Sequence, residues 1–134
     1  MNIHHSSDIL IVDDSGAIRG VVRKLLMQLG FSNFDEASDG EAALTKLSEK
    51  QFGLVISDWN MEPMSGQILL ERVRANKQHA SLPFIMMTAE STIDKIVQAK
   101  NAGVTCFIKK PFRAEELQAK ILQTSTANRL TASA

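Results

Sequence analysis

Acidic, hydroxyl and amino side chains stand at the ends of four apolar runs of this sequence. In chain order they are Asp13 with Asp14, then Asp58, Thr88, and Lys109 with Lys110. Neighbouring carboxylates do not all stay ionised without cost unless a cation lies between them. Carboxylates on oxygen-rich loops, with no His or Cys nearby, are typical ligands of a hard divalent ion. We expect Mg²⁺, since it needs only one or two carboxylates and keeps water and phosphate oxygens as its other ligands.

Each of these residues also has an ordinary structural explanation. An Asp-Asp pair after a strand is usually a solvated turn or a helix cap. Asp58 alone would suit a loop, Thr88 a strand-end hydroxyl, and the Lys pair a solvated edge. The chemical interpretation therefore depends on whether the four strand ends meet at one rim of a sheet.

Five short apolar runs alternate with five longer segments of helical period. The predicted strands are 8–12, 33–37, 53–57, 83–87 and 105–109. Three of them contain continuous apolar runs, which are typical of parallel strands covered on both faces, and the polar second run suits an edge strand. Alternating strands and helices predict an α/β fold of the flavodoxin-like (βα)₅ type, a doubly wound parallel sheet with strand order 2-1-3-4-5. Such sheets bind ligands at the carboxyl ends of their strands, near the switch point between strands one and three.

Apolar residues at helical spacing predict what three of the helices bury. On the first, fourth and fifth helix we expect these inward residues to be Ile18, Val21, Val22, Leu25, Leu26 and Leu29; Ile93, Ile96 and Val97; and Leu117, Ile121 and Leu122. Gly30 suits a left-handed cap after the first helix, and a capping box beginning at Ser38 suits the start of the second. The third helix is expected at roughly 65–75, and Ser91 is the expected cap of the fourth, which ends near Gly103.

Composition excludes several classes of function. Fifteen acidic and fifteen basic residues cancel, so no net field attracts nucleic acid or an anionic membrane. No apolar run approaches the length of a membrane span, and residues 1–7 lack the apolar stretch of a secretory signal. We therefore expect a cytoplasmic protein with no nucleic-acid partner and no membrane insertion, in which the lone Cys106 is buried packing. One monomeric domain is expected over 1–134, with its core at about 8–125 and a flexible tail at 126–134.

Four motifs make the chain resemble the receiver domains of bacterial two-component response regulators. They are Val12-Asp13-Asp14-Ser15, Ser57-Asp58-Trp59-Asn60-Met61, Thr88-Ala89-Glu90 and Phe107-Ile108-Lys109-Lys110-Pro111-Phe112. The resemblance covers about residues 8–125, nearly the whole chain. The second and third motifs are most similar to those of the stand-alone chemotaxis regulators that act on flagellar motors.

The resemblance implies a phosphoacceptor switch that promotes only its own phosphorylation and dephosphorylation. Asp58 would accept a phosphoryl group from the phosphohistidine of a sensor histidine kinase. Mg²⁺ would be held by Asp13, Asp14, Asp58 and the backbone carbonyl of Asn60. Lys110 would pair with a phosphoryl oxygen, and Lys110 is preferred to Lys109 because it directly precedes Pro111, in a bond that the family usually holds cis.

The resemblance also implies how the signal leaves the site. Thr88 would donate a hydrogen bond to the phosphoryl group, and its movement would let Phe107 turn inward. The surface of helix four, strand five and helix five would then bind a target such as a flagellar motor component. Asn60 and Glu90 occupy positions that in the family tune the hydrolysis of the aspartyl phosphate.

Two departures from the family and four competing functions have to be considered. Glu62 stands where the family often has proline, and Phe107 replaces a tyrosine common in motor-binding regulators; the chain contains no Tyr. A phosphate sink or a relay adaptor would have the same motifs. A phosphatase of the haloacid dehalogenase type would need two acids separated by one residue after strand one, and a flavin carrier would need a hydroxyl- and Gly-rich loop there. Asp13-Asp14-Ser15 suits neither.

Overall fold

The computed structural model of the protein describes residues 3–89 and 92–133, with side chains described through Ser125. Strands and helices alternate along the chain. In order they are β1 (Asp8–Val12), α1 (Gly16–Gln28), β2 (Asn33–Ala37), α2 (Gly40–Glu49), β3 (Leu54–Asp58), α3 (Gly66–Ala75), a 3₁₀ turn (Lys77–His79), β4 (Phe84–Thr88), α4 (Ile93–Asn101), β5 (Cys106–Lys109) and α5 (Ala114–Ser133). Within the described residues, no helix is both long and apolar enough to span a membrane.

The five strands form one parallel sheet in the order β2-β1-β3-β4-β5, which confirms the predicted fold class and strand order. The register brings the carboxyl ends of the strands level. Val12 pairs with Ser57 across β1 and β3, and Thr88 pairs with Lys109 across β4 and β5. The residues at or just after these ends therefore share one edge of the sheet.

The core has two parts, one on each face of the sheet, because successive side chains of a strand point to opposite faces. Leu10 and Val12 of β1 belong to the cluster with α2, α3 and α4. Ile9 and Ile11 belong to the other cluster, with α1 and α5. Both faces of the central strands are covered by helices, which explains their unbroken apolar runs.

The predicted inward face of α4 is wrong for Ile93 and Val97, while Ile96 is half-buried. Ile93 is 80% exposed and Val97 is 49% exposed, whereas Ala99 is buried. Ala102 packs against the same core cluster as Ala99, so the small residues face the sheet and bring the helix close to it. Ile93 and Val97 consequently lie on the outer flank of the helix.

Val21 of α1 and Leu122 of α5 were also predicted to face inward and are instead more than half exposed. Both lie at the margin of an apolar stripe whose centre is buried, at Val22 and Leu26 on α1 and at Leu117 on α5. The apolar stripe on each helix is wider than the surface that packs against the sheet, so residues at its margin remain exposed.

Helix ends follow the predicted chemistry, in two cases one residue away from the predicted position. Asp39 caps α2, accepting a hydrogen bond from the Ala42 amide at 2.7 Å, so the cap is not Ser38. A carboxylate at this position also interacts favourably with the helix dipole. Thr92 caps α4, while the predicted cap Ser91 lies outside the described residues.

The chain reverses after α1 and α4 at glycines. Gly30 and Gly103 have φ angles of 97° and 89°, a left-handed conformation that Gly adopts without strain. The flexible tail predicted at 126–134 falls on residues whose side chains are outside the described part of the chain. That expectation, like the single domain over 1–134, stays a prediction.

Candidate functional site

Three carboxylates meet at the carboxyl edge of the sheet. Asp13 and Asp14 follow β1, and Asp58 is the last residue of β3. One oxygen from each carboxylate lies within 4.8 Å of the other two. Asp13 and Asp58 are almost completely buried, whereas Asp14 is exposed. The neighbouring positions of β1 and β3 in the sheet produce this cluster, as the strand ends predicted.

Lys110 joins two of the three acids. Its ammonium nitrogen lies 2.8 Å from Oδ1 of Asp58 and 3.2 Å from Oδ2 of Asp13. The Lys110 amide donates to the carbonyl of Thr88 at 2.7 Å, which ties this residue to the end of β4. Lys109 pairs with Thr88 in the ladder and is exposed. Of the two adjacent lysines, Lys110 is therefore the one that contacts the acid cluster.

The electrostatics of the cluster show an excess of negative charge. Burial raises the pKa of Asp58, and the nearby Asp13 raises it further, while the Lys110 ammonium opposes both effects. Burial disfavours the charge of Lys110, but Asp58 and Asp13 outweigh this effect and raise the pKa of the ammonium. One ammonium among three carboxylates leaves room for a further cation.

The donor set fits Mg²⁺. It consists of carboxylate oxygens, which are hard ligands, and two of the three carboxylates are already fixed by burial and hydrogen bonds. The Asp13 carboxylate accepts from the Ser15 amide at 2.9 Å as well as from Lys110. Both Asp13 oxygens are therefore hydrogen-bonded, and one oxygen of each acid, that of the exposed Asp14 included, belongs to the cluster that could hold an ion.

Three further residues were predicted to belong to the site: Thr88, Asn60 and Glu90. Thr88 is buried at the end of β4, on the same edge of the sheet. Asn60 is exposed in the loop that follows Asp58 and Trp59. Glu90 lies outside the described residues.

Phe107, the predicted switch residue, is half-buried on β5. Its ring packs against the core cluster shared by α2, α3 and α4. The Lys120 ammonium of α5 lies 5.6 Å from the centre of the ring. In this structure the side chain therefore lies between the core and the surface of β5 and α5.

The loops around the site contain two cis peptide bonds. The Lys110–Pro111 bond is cis, as the resemblance implies, and the Glu62–Pro63 bond is cis as well, which the sequence did not indicate. Trp59 is buried beside Asp58, and the Lys95 ammonium of α4 lies 5.5 Å from its ring centre.

Sequence reasoning missed Arg19 and Glu36. Arg19 contacts the backbone carbonyl of Asp13 and the Glu36 carboxylate. The signal that could have found them is the polar character of β2. An acid on an edge strand beside β1 is within reach of a basic residue in the first turn of α1.

Comparison with known proteins decides the family. The family described as "Response regulator receiver domain" matches residues 9–122. The chain belongs to this family. The strand order is the one that the resemblance implied. CheY-like members of the family are signalling switches and generally not enzymes, and receiver domains typically bind Mg²⁺ at an acidic pocket.

Named relatives of this receiver are chemotaxis proteins. Chemotaxis protein CheY-3 of Vibrio cholerae is 43% identical over 119 residues, which are 89% of this chain and 92% of the relative. Chemotaxis protein CheY of Pseudomonas aeruginosa is 45% identical over 113 residues, which are 84% of this chain and 91% of the relative.

Solved structures agree with the fold. Chemotaxis protein CheY4 of Vibrio cholerae superposes with a TM-score of 0.84 at 34% identity, covering 89% of this chain and 98% of that one. A response regulator from Chloroflexus aurantiacus gives a TM-score of 0.85 at 26% identity, covering 90% and 98%.

Proposed function

We propose that this receiver is a phosphoacceptor switch in which Asp58 takes a phosphoryl group from a sensor histidine kinase. The observation that carries the proposal is the 2.8 Å contact between the Lys110 ammonium and Asp58, inside a cluster of three acids. Asp13, Asp14, Asp58 and the backbone carbonyl of Asn60 would hold Mg²⁺. We still expect the protein to be cytoplasmic and monomeric, with no nucleic-acid partner and no membrane insertion.

The chemistry needs little covalent help from the protein. An Asp58 oxygen attacks phosphorus, the bond from phosphorus to the histidine nitrogen of the donor breaks, and the nitrogen keeps the electron pair. Negative charge spreads over the phosphoryl oxygens in the transition state, so positioning and charge compensation dominate catalysis. Lys110 provides one fixed positive charge, and bound Mg²⁺ would supply the rest. Thr88 would donate its hydroxyl to a phosphoryl oxygen.

The phosphoryl group would alter the surface through Thr88 and Phe107. A dianionic group attached to a buried Asp58 changes the local charge enough to bias a two-state element. Thr88 would move toward the phosphoryl group and let the half-buried Phe107 turn inward. Asn60 and Glu90 would set how long the phosphate lasts, since they occupy positions that in the family tune hydrolysis of the aspartyl phosphate.

The surface of α4, β5 and α5 is the proposed docking site for the target. The exposed Ile93 and Val97 give α4 an apolar patch, and Lys120 lies beside Phe107. Both curated relatives described above are named as chemotaxis proteins, which favours a flagellar motor component as the target. A phosphate sink or relay adaptor is the alternative, favoured by the missing tyrosine hydroxyl at Phe107.

Labelling with acetyl phosphate and Mg²⁺ tests the phosphoacceptor. Wild-type protein should gain one acid-stable, base-labile phosphate, and Asp58→Asn should gain none. Asp94→Asn is the matched control, because it removes an exposed acid from α4. Equal labelling of the Asp58→Asn variant would show that the phosphoryl group goes elsewhere. Sustained hydrolysis of a generic phosphomonoester would instead favour the phosphatase alternative.

A further inference from the structure

Arg19 reaches from the first turn of α1 back to the acid pair. Its Nη1 donates to the backbone carbonyl of Asp13 at 2.5 Å, and its Nε donates to Oε1 of Glu36 at 2.9 Å. Arg23, one turn further along α1, donates to the other oxygen of Glu36 at 2.9 Å. The two arginines thus share one carboxylate, but only Arg19 also contacts the Asp13 carbonyl.

The side chain of Arg19 is well suited to fix this carbonyl. Only 19% of it is exposed, against 49% for Arg23. The planar guanidinium holds two acceptors in a fixed geometry, which a lysine ammonium does not do. Glu36 lies on β2, beside β1, so the guanidinium is anchored to the sheet itself.

Asp14 depends on this contact more than Asp13 does. The Asp13 carboxylate is held by the Ser15 amide and by Lys110. In the described part of the chain, no hydrogen bond or ion pair holds the Asp14 carboxylate, which is exposed. The backbone sets only the direction of the Cα–Cβ bond of Asp14, and the carbonyl that Arg19 contacts belongs to the peptide group that joins Asp13 to Asp14.

We propose that Arg19, anchored by Glu36, is a positioning residue that orients Asp14 for the divalent cation. The inference rests on the proposed function of the acid cluster as an Mg²⁺ site. Fixing the peptide before the cation binds reduces the conformational entropy lost on binding. Partners that orient metal ligands typically contribute about 10- to 100-fold to metal affinity.

Charge alone predicts the opposite effect, which makes the inference testable. Removing a positive charge near a cation site strengthens cation binding by Coulomb's law. If Arg19 acted only through its charge, Arg19→Ala would bind Mg²⁺ more tightly. Positioning predicts weaker binding.

Mg²⁺ titration followed by tryptophan fluorescence tests the proposal without relying on phosphorylation. Trp59 is the one tryptophan of the sequence and lies buried beside Asp58. We expect Arg19→Ala to raise the Mg²⁺ dissociation constant about tenfold. Arg23→Ala, the matched control, should stay within about twofold of wild type, because Arg23 contacts Glu36 but not Asp13. Circular dichroism establishes that each variant is folded at the titration temperature.

If Arg19→Ala does not fold, Arg19→Lys can be titrated with Mg²⁺ in its place. It keeps the charge but loses the two-acceptor geometry, so a smaller weakening, about threefold, is expected. Unchanged or tighter binding in the Arg19 variants would overturn the positioning role. Equal weakening of Mg²⁺ binding in Arg19→Ala and Arg23→Ala would also overturn the positioning role. If wild-type protein itself bound no Mg²⁺, the proposed function of the site would fail instead.

Discussion

Replacement of Gly66 by alanine tests how closely α3 approaches the phosphoacceptor loop. A Cβ atom at this position would lie 2.1 Å from the Asp58 carbonyl oxygen and 3.0 Å from the Cα of Trp59. Real Cβ atoms essentially never come closer than 3.0 Å, so the start of α3 would have to move by roughly 1 Å. The obstacle is backbone, and therefore no change of rotamer relieves it.

The cost follows from three contributions. Overpacking of this kind typically destabilises a protein by about 1–3 kcal/mol. The movement also strains the hydrogen bond from the Gly66 amide to the Trp59 carbonyl, 2.8 Å long, which contributes about 1 kcal/mol. Alanine regains up to about 1 kcal/mol in helix propensity. We expect a net loss of about 1–3 kcal/mol in the free energy of unfolding.

Urea denaturation followed by circular dichroism measures this loss, with Gly20→Ala as the matched control. Gly20 lies inside α1 with nothing within 4 Å of an added Cβ, so the same substitution there should stabilise by about 0.5–1 kcal/mol. Because Asp58 and Trp59 carry the clash, Gly66→Ala should also weaken Mg²⁺ binding. A Gly66→Ala protein as stable as Gly20→Ala would refute the reasoning.

Three further predictions concern single side chains. Burial raises the pKa of Asp58, so its ionised form destabilises the fold; the penalty is absent below the unfolded pKa of about 3.9 and grows as the pH rises to the folded pKa. In EDTA, Asp58→Asn should therefore raise the free energy of unfolding at neutral pH relative to its effect at about pH 3; an equal effect at both pH values would contradict this. Burial likewise raises the pKa of the Cys106 thiol, so a thiol reagent should label it only as the protein unfolds, and rapid labelling of folded protein would be inconsistent. Phe107→Ala should leave labelling of Asp58 nearly intact while reducing the gain in target affinity on phosphorylation, measured with and without acetyl phosphate; an undiminished gain would mean that another route carries the signal.

The sequence alone predicted the sheet and the part of the site that stands on its strand ends. The bounds of β1 and β2 match the prediction because burial on both faces leaves an unbroken apolar run, and an edge position leaves a polar one. Right-handed βαβ connections then bring β1 beside β3. Asp13 and Asp58 had to meet once that order was established, and the measured cluster follows from local patterns and one topological rule.

Tertiary structure decided the contacts that depend on side-chain reach and helix rotation. Ile93 and Val97 have the spacing of a buried stripe, yet Ala99 faces the sheet, because periodicity defines a helical face without saying which neighbour covers it. Arg19, Asp13 and Glu36 come from three different elements and meet only through the register of β1 with β2. Lys110 bridges Asp13 and Asp58 for a similar reason. The distances from its ammonium to these carboxylates depend on how the strands are arranged in space, and the spacing of the residues along the chain does not give those distances.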